Sequence, residues 1–315
     1  MKKFLLRTSG FLLILLLLII IGFFLPATPY ASQSLLFSER HKDSLLMNVE
    51  QPRVIFVGGS NLSFGIDSKM VKDSLHLNPI NTGIHTSIGL KYMMDNTLQH
   101  IQKGDIVILV PEYILFYRDY NYMMEELVRM ITDVNKSNYK LFSTKQFMGA
   151  LRYIPKTVLS RFNPLEYKMQ NTSVYGIDSF NEYGDACTHW SMEKQPFNPF
   201  VAIDENALNE EVLLKIKQFQ TDVANLGGVV YLSFPGYQTT SFLNSEGAIK
   251  KMEKACINEG ITILGTPERY MIPDSLLFNS PYHLNRQGVT HRTLLIIEDL
   301  KTIMQNNSDC PSSNF

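Results

Sequence analysis

The chain has 315 residues and a formal net charge of -1, long enough for one large domain or two small ones around a substantial core. With no net field and no basic stripe interleaved with aromatics, nucleic-acid binding is excluded as an expectation. Cys187, Cys256 and Cys310 lie far apart, so at most one pair can bridge and no disulfide scaffold is implied. No Cys/His spacing matches a zinc site, and neither a metal nor an organic cofactor is expected.

Lys2, Lys3 and Arg7 precede a run from Phe11 to Leu25 that is almost entirely Leu, Ile and Phe. A helix crosses the hydrocarbon core with about 20 apolar residues. The run is somewhat short of that, and Gly10 and Pro26-Ala27 can extend it. Two readings compete over residues 1–27, a cleaved signal segment and an uncleaved transmembrane anchor. Leu25-Pro26-Ala27 and Pro29-Tyr30-Ala31 are poor cleavage sites, which favours the anchor. In both readings the basic flank stays cytoplasmic and the rest of the chain crosses to the outside. Residues 28–52 read as a linker with one short helix around Asp43 to Val49.

From Arg53 the chain alternates. Val54 to Val57 is a continuous apolar run, as expected of a strand buried on both faces. Ile66 to Leu75 predicts a short helix, Pro79-Ile80-Asn81 an extended piece, Gly89 to Ile101 a helix by its spacing, and Asp105 to Val110 a second strong strand. Residues of about 114–200 are rich in Tyr, Phe and Asn and have weak periodicity apart from patches such as Met123 to Val134; they read as a large insertion. Regularity returns with a helix over Asn206 to Leu226, a strand over Val229 to Phe234, a helix over Ser245 to Glu259 and a strand over Ile261 to Leu264. A loop of roughly 20 residues carries His283, and a last helix runs from Arg286 to Met304. Such alternation implies a parallel sheet with right-handed crossovers, whose sites form at the carboxyl ends of the strands. The expectation is one α/β domain over 53–305.

Ser60, in Gly58-Gly59-Ser60-Asn61, follows the first strand. A serine hydroxyl needs a base to become a nucleophile, and the two glycines allow a sharp turn and a close approach. His283, late in the chain, is the candidate base, since imidazole suits proton transfer near neutral pH. Gly-Gly-Ser-Asn is also ordinary turn chemistry, and a lone loop His is usually a solvated or hydrogen-bonded residue. It is the order and placement of the two that point to ester chemistry.

This pattern resembles the SGNH (GDSL-like) hydrolases, over about residues 53 to 304. In that superfamily the nucleophile follows strand one, as Ser60 does, and the base precedes the last helix, as His283 does. The stretch Tyr282-His283-Leu284-Asn285 through Gly288 is similar to the final motif of the membrane-anchored branch active in envelope polysaccharide O-acetylation and D-alanine transfer. The resemblance implies a flavodoxin-like three-layer α/β sandwich with a parallel sheet. It also implies a serine esterase or O-acyltransferase acting on acyl, chiefly acetyl, esters of a cell-envelope glycan, beside a membrane-bound acyl donor protein.

The chain departs from that pattern at two places. The Asp expected three residues before the His is Ser280, leaving Asn279 or the more distant Asp274 to orient the ring. The third-motif Asn is replaced by Glu112, followed by Tyr113, and an ionised carboxylate cannot donate to an oxyanion. Oxyanion donors would then be the amides of Ser60 and Gly83, or Asn61. Glu112, Tyr113, Asp185 and His189 are candidate substrate contacts. Asp185 and His189 would share a face if helical, although a polar loop is the plainer reading. A catalytically impaired glycan-binding or scaffolding protein of the same fold is the rival expectation.

Overall fold

A computed structural model of the chain describes residues 1–122, 125–168 and 174–308; Met123, Met124 and Cys310 lie outside them. The apolar run after Pro52 forms β1 (Arg53–Gly58). It pairs in parallel with β2 (Asn78–Asn81) on one side and β3 (Ile106–Val110) on the other. β3 pairs in parallel with β4 (Val229–Leu232), giving the order β2-β1-β3-β4. Val54 to Val57 and Val107 to Val110 are fully buried, as continuous apolar runs in a covered parallel sheet must be.

The expected strand over Ile261 to Leu264 is reduced to a single parallel bridge between Leu232 and Ile263. Leu232 N–H donates to Thr262 O at 2.9 Å, and Leu264 N–H donates to Leu232 O at 2.8 Å. Beyond that, Ser233 N–H is spent on Leu109 O, and Pro235 has no N–H to lengthen the edge.

Helix α1 (Lys2–Phe24) buries only Gly22 and is long and apolar enough to span a membrane. Residues 28–48 are not a solvated linker. Leu35, Leu36 and Phe37 join the main core, as does Leu46 of helix α2 (Ser38–Asn48). A single turn, α3 (Ser60–Ser63), follows β1. Helix α4 (Ser68–Leu75) begins at Asp67, whose carboxylate accepts the Met70 N–H, as N-caps do. The spacing after Gly89 yields α5 (Leu90–Leu98).

The insertion contains a helix over Glu125–Arg129 that continues into a wide turn over Met130–Val134, then α6 (Thr144–Ala150) and α7 (Ile154–Leu159) among several short 3-10 pieces. Its weak periodicity reflects that construction. Helix α8 (Glu210–Asn225) starts four residues later than its spacing suggests, because Asn209 caps it by accepting the Glu211 N–H. Helix α9 (Glu246–Asn258) matches its pattern. A short antiparallel pair, β5 (Leu277–Ser280) and β6 (His283–Leu284), then leads into α10 (Arg286–Ser308).

At the amino end of the sheet, Arg53 and Asp105 lock β1 to β3. Both are fully buried, with Nη2 to Oδ2 at 2.5 Å and Nε to Oδ1 at 2.8 Å. Arg53 also donates to Leu46 O and His100 O, so the fork ties α2 and the end of α5 to the sheet. Removing one partner strands a buried charge at a cost of about 3–5 kcal/mol. Asp105→Asn is therefore expected to lower the unfolding midpoint in urea by a destabilisation of that size, measured on the detergent-solubilised chain.

Candidate functional site

β1 delivers Ser60 to the carboxyl edge of the sheet as the first residue of α3. The two preceding glycines serve proximity rather than an unusual turn. Gly59 has φ -97, a value open to any residue. A Cβ on Gly58 would lie 2.4 Å from Val110 O, and a Cβ on Gly59 would lie 2.5 Å from Glu112 Oε1. β3 and its terminal carboxylate press against this turn, and only glycine leaves them room.

His283 reaches the same edge from β6. Its ring stacks on Phe64 with centroids 4.4 Å apart, and Leu284 N–H donates to Phe64 O at 3.1 Å. Phe64 N–H in turn donates to Ser60 O, so the residue on which the imidazole stacks lies one helical turn from Ser60. Nδ1 of His283 lies 2.9 Å from Asn279 Oδ1, and Asn279 Nδ2 donates to Tyr175 Oη at 2.7 Å. With the amide oxygen facing the ring, Nδ1 carries the proton and Nε2 keeps its lone pair. Among the described residues no hydrogen bond joins Ser60 Oγ to the ring.

Asn279 is thus the group that holds His283. Asp274 turns away, with Oδ1 accepting from Gln238 Nε2 at 2.9 Å. Burial, with smaller pushes from His189 and His85, drives the His283 pKa down to about 3, because the low-dielectric setting disfavours the cation. Among the described residues no carboxylate counters it.

The expected oxyanion donors are partly occupied. Gly83 N–H donates to Asn81 Oδ1 at 2.9 Å. Asn61 N–H donates to Glu112 Oε1 at 3.2 Å, and Asn61 Nδ2 donates to Val110 O at 3.0 Å. The Ser60 N–H has no protein acceptor among the described residues. Glu112 is fully buried behind the turn. Arg292 of α10 lies buried in the same region, with its charge felt from Glu112 and its pKa pushed down to about 10 by burial; Nη1 donates to Gly65 O at 3.3 Å.

The remaining candidates are dispersed. Tyr113 is buried in packing, its ring edge-on to Tyr237 at 5.4 Å, and its N–H donates to Tyr282 Oη. Asp185 and His189 do not share a helix. Asp185 is fully buried and accepts from Ser68 N, Ser68 Oγ and Asn81 Nδ2. His189 donates from Nε2 to Leu284 O at 3.0 Å, with burial holding its pKa near 4. Among the described residues no three His, Cys, Asp or Glu side chains converge as metal ligands.

Sequence reasoning missed Phe64, Tyr175 and Arg292. Phe64 was findable, since four residues after Ser60 is one helical turn. Tyr175 sits in the insertion, and Arg292 on the face of α10 that the loop motif leaves unspecified; neither carries a local signal.

No family model and no curated protein matches the chain. Among solved structures the chain is similar to protein YxiM from Bacillus subtilis, at 14% identity and a TM-score of 0.37, over 80% of this chain and 56% of that protein. The chain therefore spans little more than half the length of that protein.

The two buried histidines set an acid limit. Unfolded, each titrates near 6.5; folded, His283 and His189 stay neutral down to about 3 and 4. As pH falls below 6.5 the unfolded chain gains protons that the folded chain refuses, so stability drops by about 1.4 kcal/mol per pH unit per histidine. His283→Gln is expected to flatten the fall in urea stability between pH 6 and 4.5 by about one such slope. A slope equal to that of the unmodified chain would show that His283 does not carry it.

Proposed function

We propose that the chain is a serine-dependent ester hydrolase or O-acyltransferase of the SGNH-like type. In this reading it is anchored by α1 with its flavodoxin-like sandwich outside the cytoplasm, and acts on acyl, chiefly acetyl, esters of an envelope glycan. The observation that carries the proposal is that Ser60 opens the turn after β1 and His283 stacks on Phe64 at the end of that turn, with Asn279 facing Nδ1 and leaving the Nε2 lone pair free. In the reaction, Ser60 Oγ attacks the ester carbon while Nε2 takes the hydroxyl proton. The sugar oxygen leaves with that proton, and the acyl group stays on Ser60. Water then completes hydrolysis, or a second hydroxyl completes transfer, with Nε2 again taking the proton. The Ser60 N–H is the donor left for the oxyanion.

A cleft of about 240 Å³ lined by Tyr30, Leu35, Leu36, His85 and Tyr175 among others lies next to this edge; neither Ser60 nor His283 is among its lining residues, and its link to the proposed site is Tyr175, which accepts from Asn279.

The rival reading, a glycan-binding protein of the same fold without turnover, draws on two observations. The orienting group is a neutral amide, and Glu112 occupies the Asn61 amide. Labelling with a serine-directed fluorophosphonate separates the two readings. The intact chain is expected to label at Ser60, and Ser60→Ala to lose at least about 100-fold in labelling rate. Equal labelling of both, or of neither, favours the binding protein.

Asn279→Asp sharpens the test. A carboxylate at the same place stabilises the imidazolium and raises the His283 pKa toward the working pH. Labelling at pH 7 is expected to accelerate on the order of tenfold; an unchanged or slower rate would place the limit elsewhere than in the base.

A further inference from the structure

The end of α1 is built into the insertion. Gly22 faces α7 so closely that a Cβ would lie 2.5 Å from Val158 Cγ1 and 3.0 Å from Phe162 Cε2. Arg161, buried, donates to the carbonyls of Gly22, Phe23 and Leu25 at the carboxyl end of the helix, where acceptors outnumber intrahelical donors. It also donates to Thr132 O and pairs with Asp133. Thr28, just past the helix, donates to Glu166 Oε2 at 3.0 Å. The segment 160–167 is thereby held at the depth where α1 ends.

Around this junction the insertion exposes apolar side chains. Phe147 and Met148 of α6, away from its buried Gln146 and Ala150, and Leu151 just past its end are joined by Phe162, Leu165 and Tyr167 beyond α7; all six are between 42% and 62% exposed. Apolar exposure on this scale beside a membrane helix marks a lipid or partner surface. Charge chooses between them. From 136 to 168 the chain has seven Lys or Arg and a single acid, Glu166, although the whole chain has a net charge of -1. Lys136, Lys140, Arg152 and Lys168 make no ion pair among the described residues. Lys136 instead reaches Phe23 O at 3.4 Å. Apolar and aromatic side chains and unpaired cations, in a segment whose α7 and following residues clasp the end of α1, are the composition of an interfacial segment.

We infer that the α6–α7 region of the insertion, through residue 168, is seated in the bilayer interface. Its apolar face lies at the headgroup–acyl boundary and its free cations on anionic headgroups, each contributing about 1 kcal/mol near such a surface. The inference rests on α1 spanning the membrane, and goes beyond that anchor by fixing how the domain is held against the lipid.

Depth-dependent quenching tests it on the full chain in nanodiscs of phosphatidylcholine and phosphatidylglycerol with brominated acyl chains. In a Trp190→Phe background, single tryptophans are placed by Leu13→Trp in α1, Met148→Trp and Leu165→Trp on the proposed face, and Leu214→Trp on exposed α8. Quenching at positions 13, 148 and 165 is expected to exceed that at 214 at least twofold, and quenching at 148 and 165 to fall when phosphatidylglycerol is omitted. Quenching at 13 alone overturns the interfacial seat while leaving the anchor standing. Absence of quenching at 13 overturns the anchor and the seat together. Quenching at 148 and 165 that ignores phosphatidylglycerol overturns the assignment of the cations to anionic headgroups.

Discussion

The fully buried carboxylate of Asp185 is the point on which the carboxyl edge of the sheet around Ser60 depends. It accepts from the backbone and side chain of Ser68 at the start of α4, from Asn81 at the end of β2, and from Asn181 within the insertion. Burial raises its pKa against the pull of these donors. Lys42 of α2, its pKa lowered by burial to about 7, lies beside it and donates to Asn81 O and Gly184 O. Isolated, either charge would be costly; together, and fully hydrogen-bonded, they are tolerable. The same Asn81 that feeds Asp185 accepts the Gly83 N–H. A chain of polar contacts thus runs from the segment after α1, through the insertion, to the loop beside Ser60, and sets its conformation.

That dependence explains what could be read from sequence. Val54 to Val57 and Asp105 to Val110 announced themselves because strands buried on both faces have no polar positions to interrupt the run. The late helices were legible through period and caps, apart from the first turn of α8. Residues 28–48 were misjudged because their buried groups include Lys42, Glu39 and Ser38, which look solvated until their partners are known. Glu39, for example, is buried against Tyr92 and Asn138 and has its pKa pushed up to about 8. Polar residues that satisfy one another over separations of 40 to 140 residues leave no local periodicity. The insertion is illegible for the same reason.

At the candidate site, the placement of Ser60 after β1 and of His283 before α10 followed from order and motif, and their neighbours did not. The His283 ring is held by an amide, so its orientation is fixed without a charge to stabilise its cation. An aspartate in this pocket would raise the His283 pKa but would bring a second buried charge; Asn279 avoids that cost and leaves the ring neutral.

The glycines before Ser60 take their meaning from the same electrostatics. Neither adopts a backbone conformation reserved for glycine, yet a methyl group on Gly59 would strike the Glu112 carboxylate. The third-motif substitution and the glycine are therefore one feature. Glu112 extends from β3 into the space Gly59 vacates, takes the Asn61 N–H, and is balanced by Arg292 from α10. The charge of Glu112 is felt by Arg292, whereas the imidazole of His283 is held neutral by burial and its neighbouring rings, with no carboxylate raising its pKa. The third-motif substitution therefore braces the serine turn and does not stand in for the Asp missing beside the histidine.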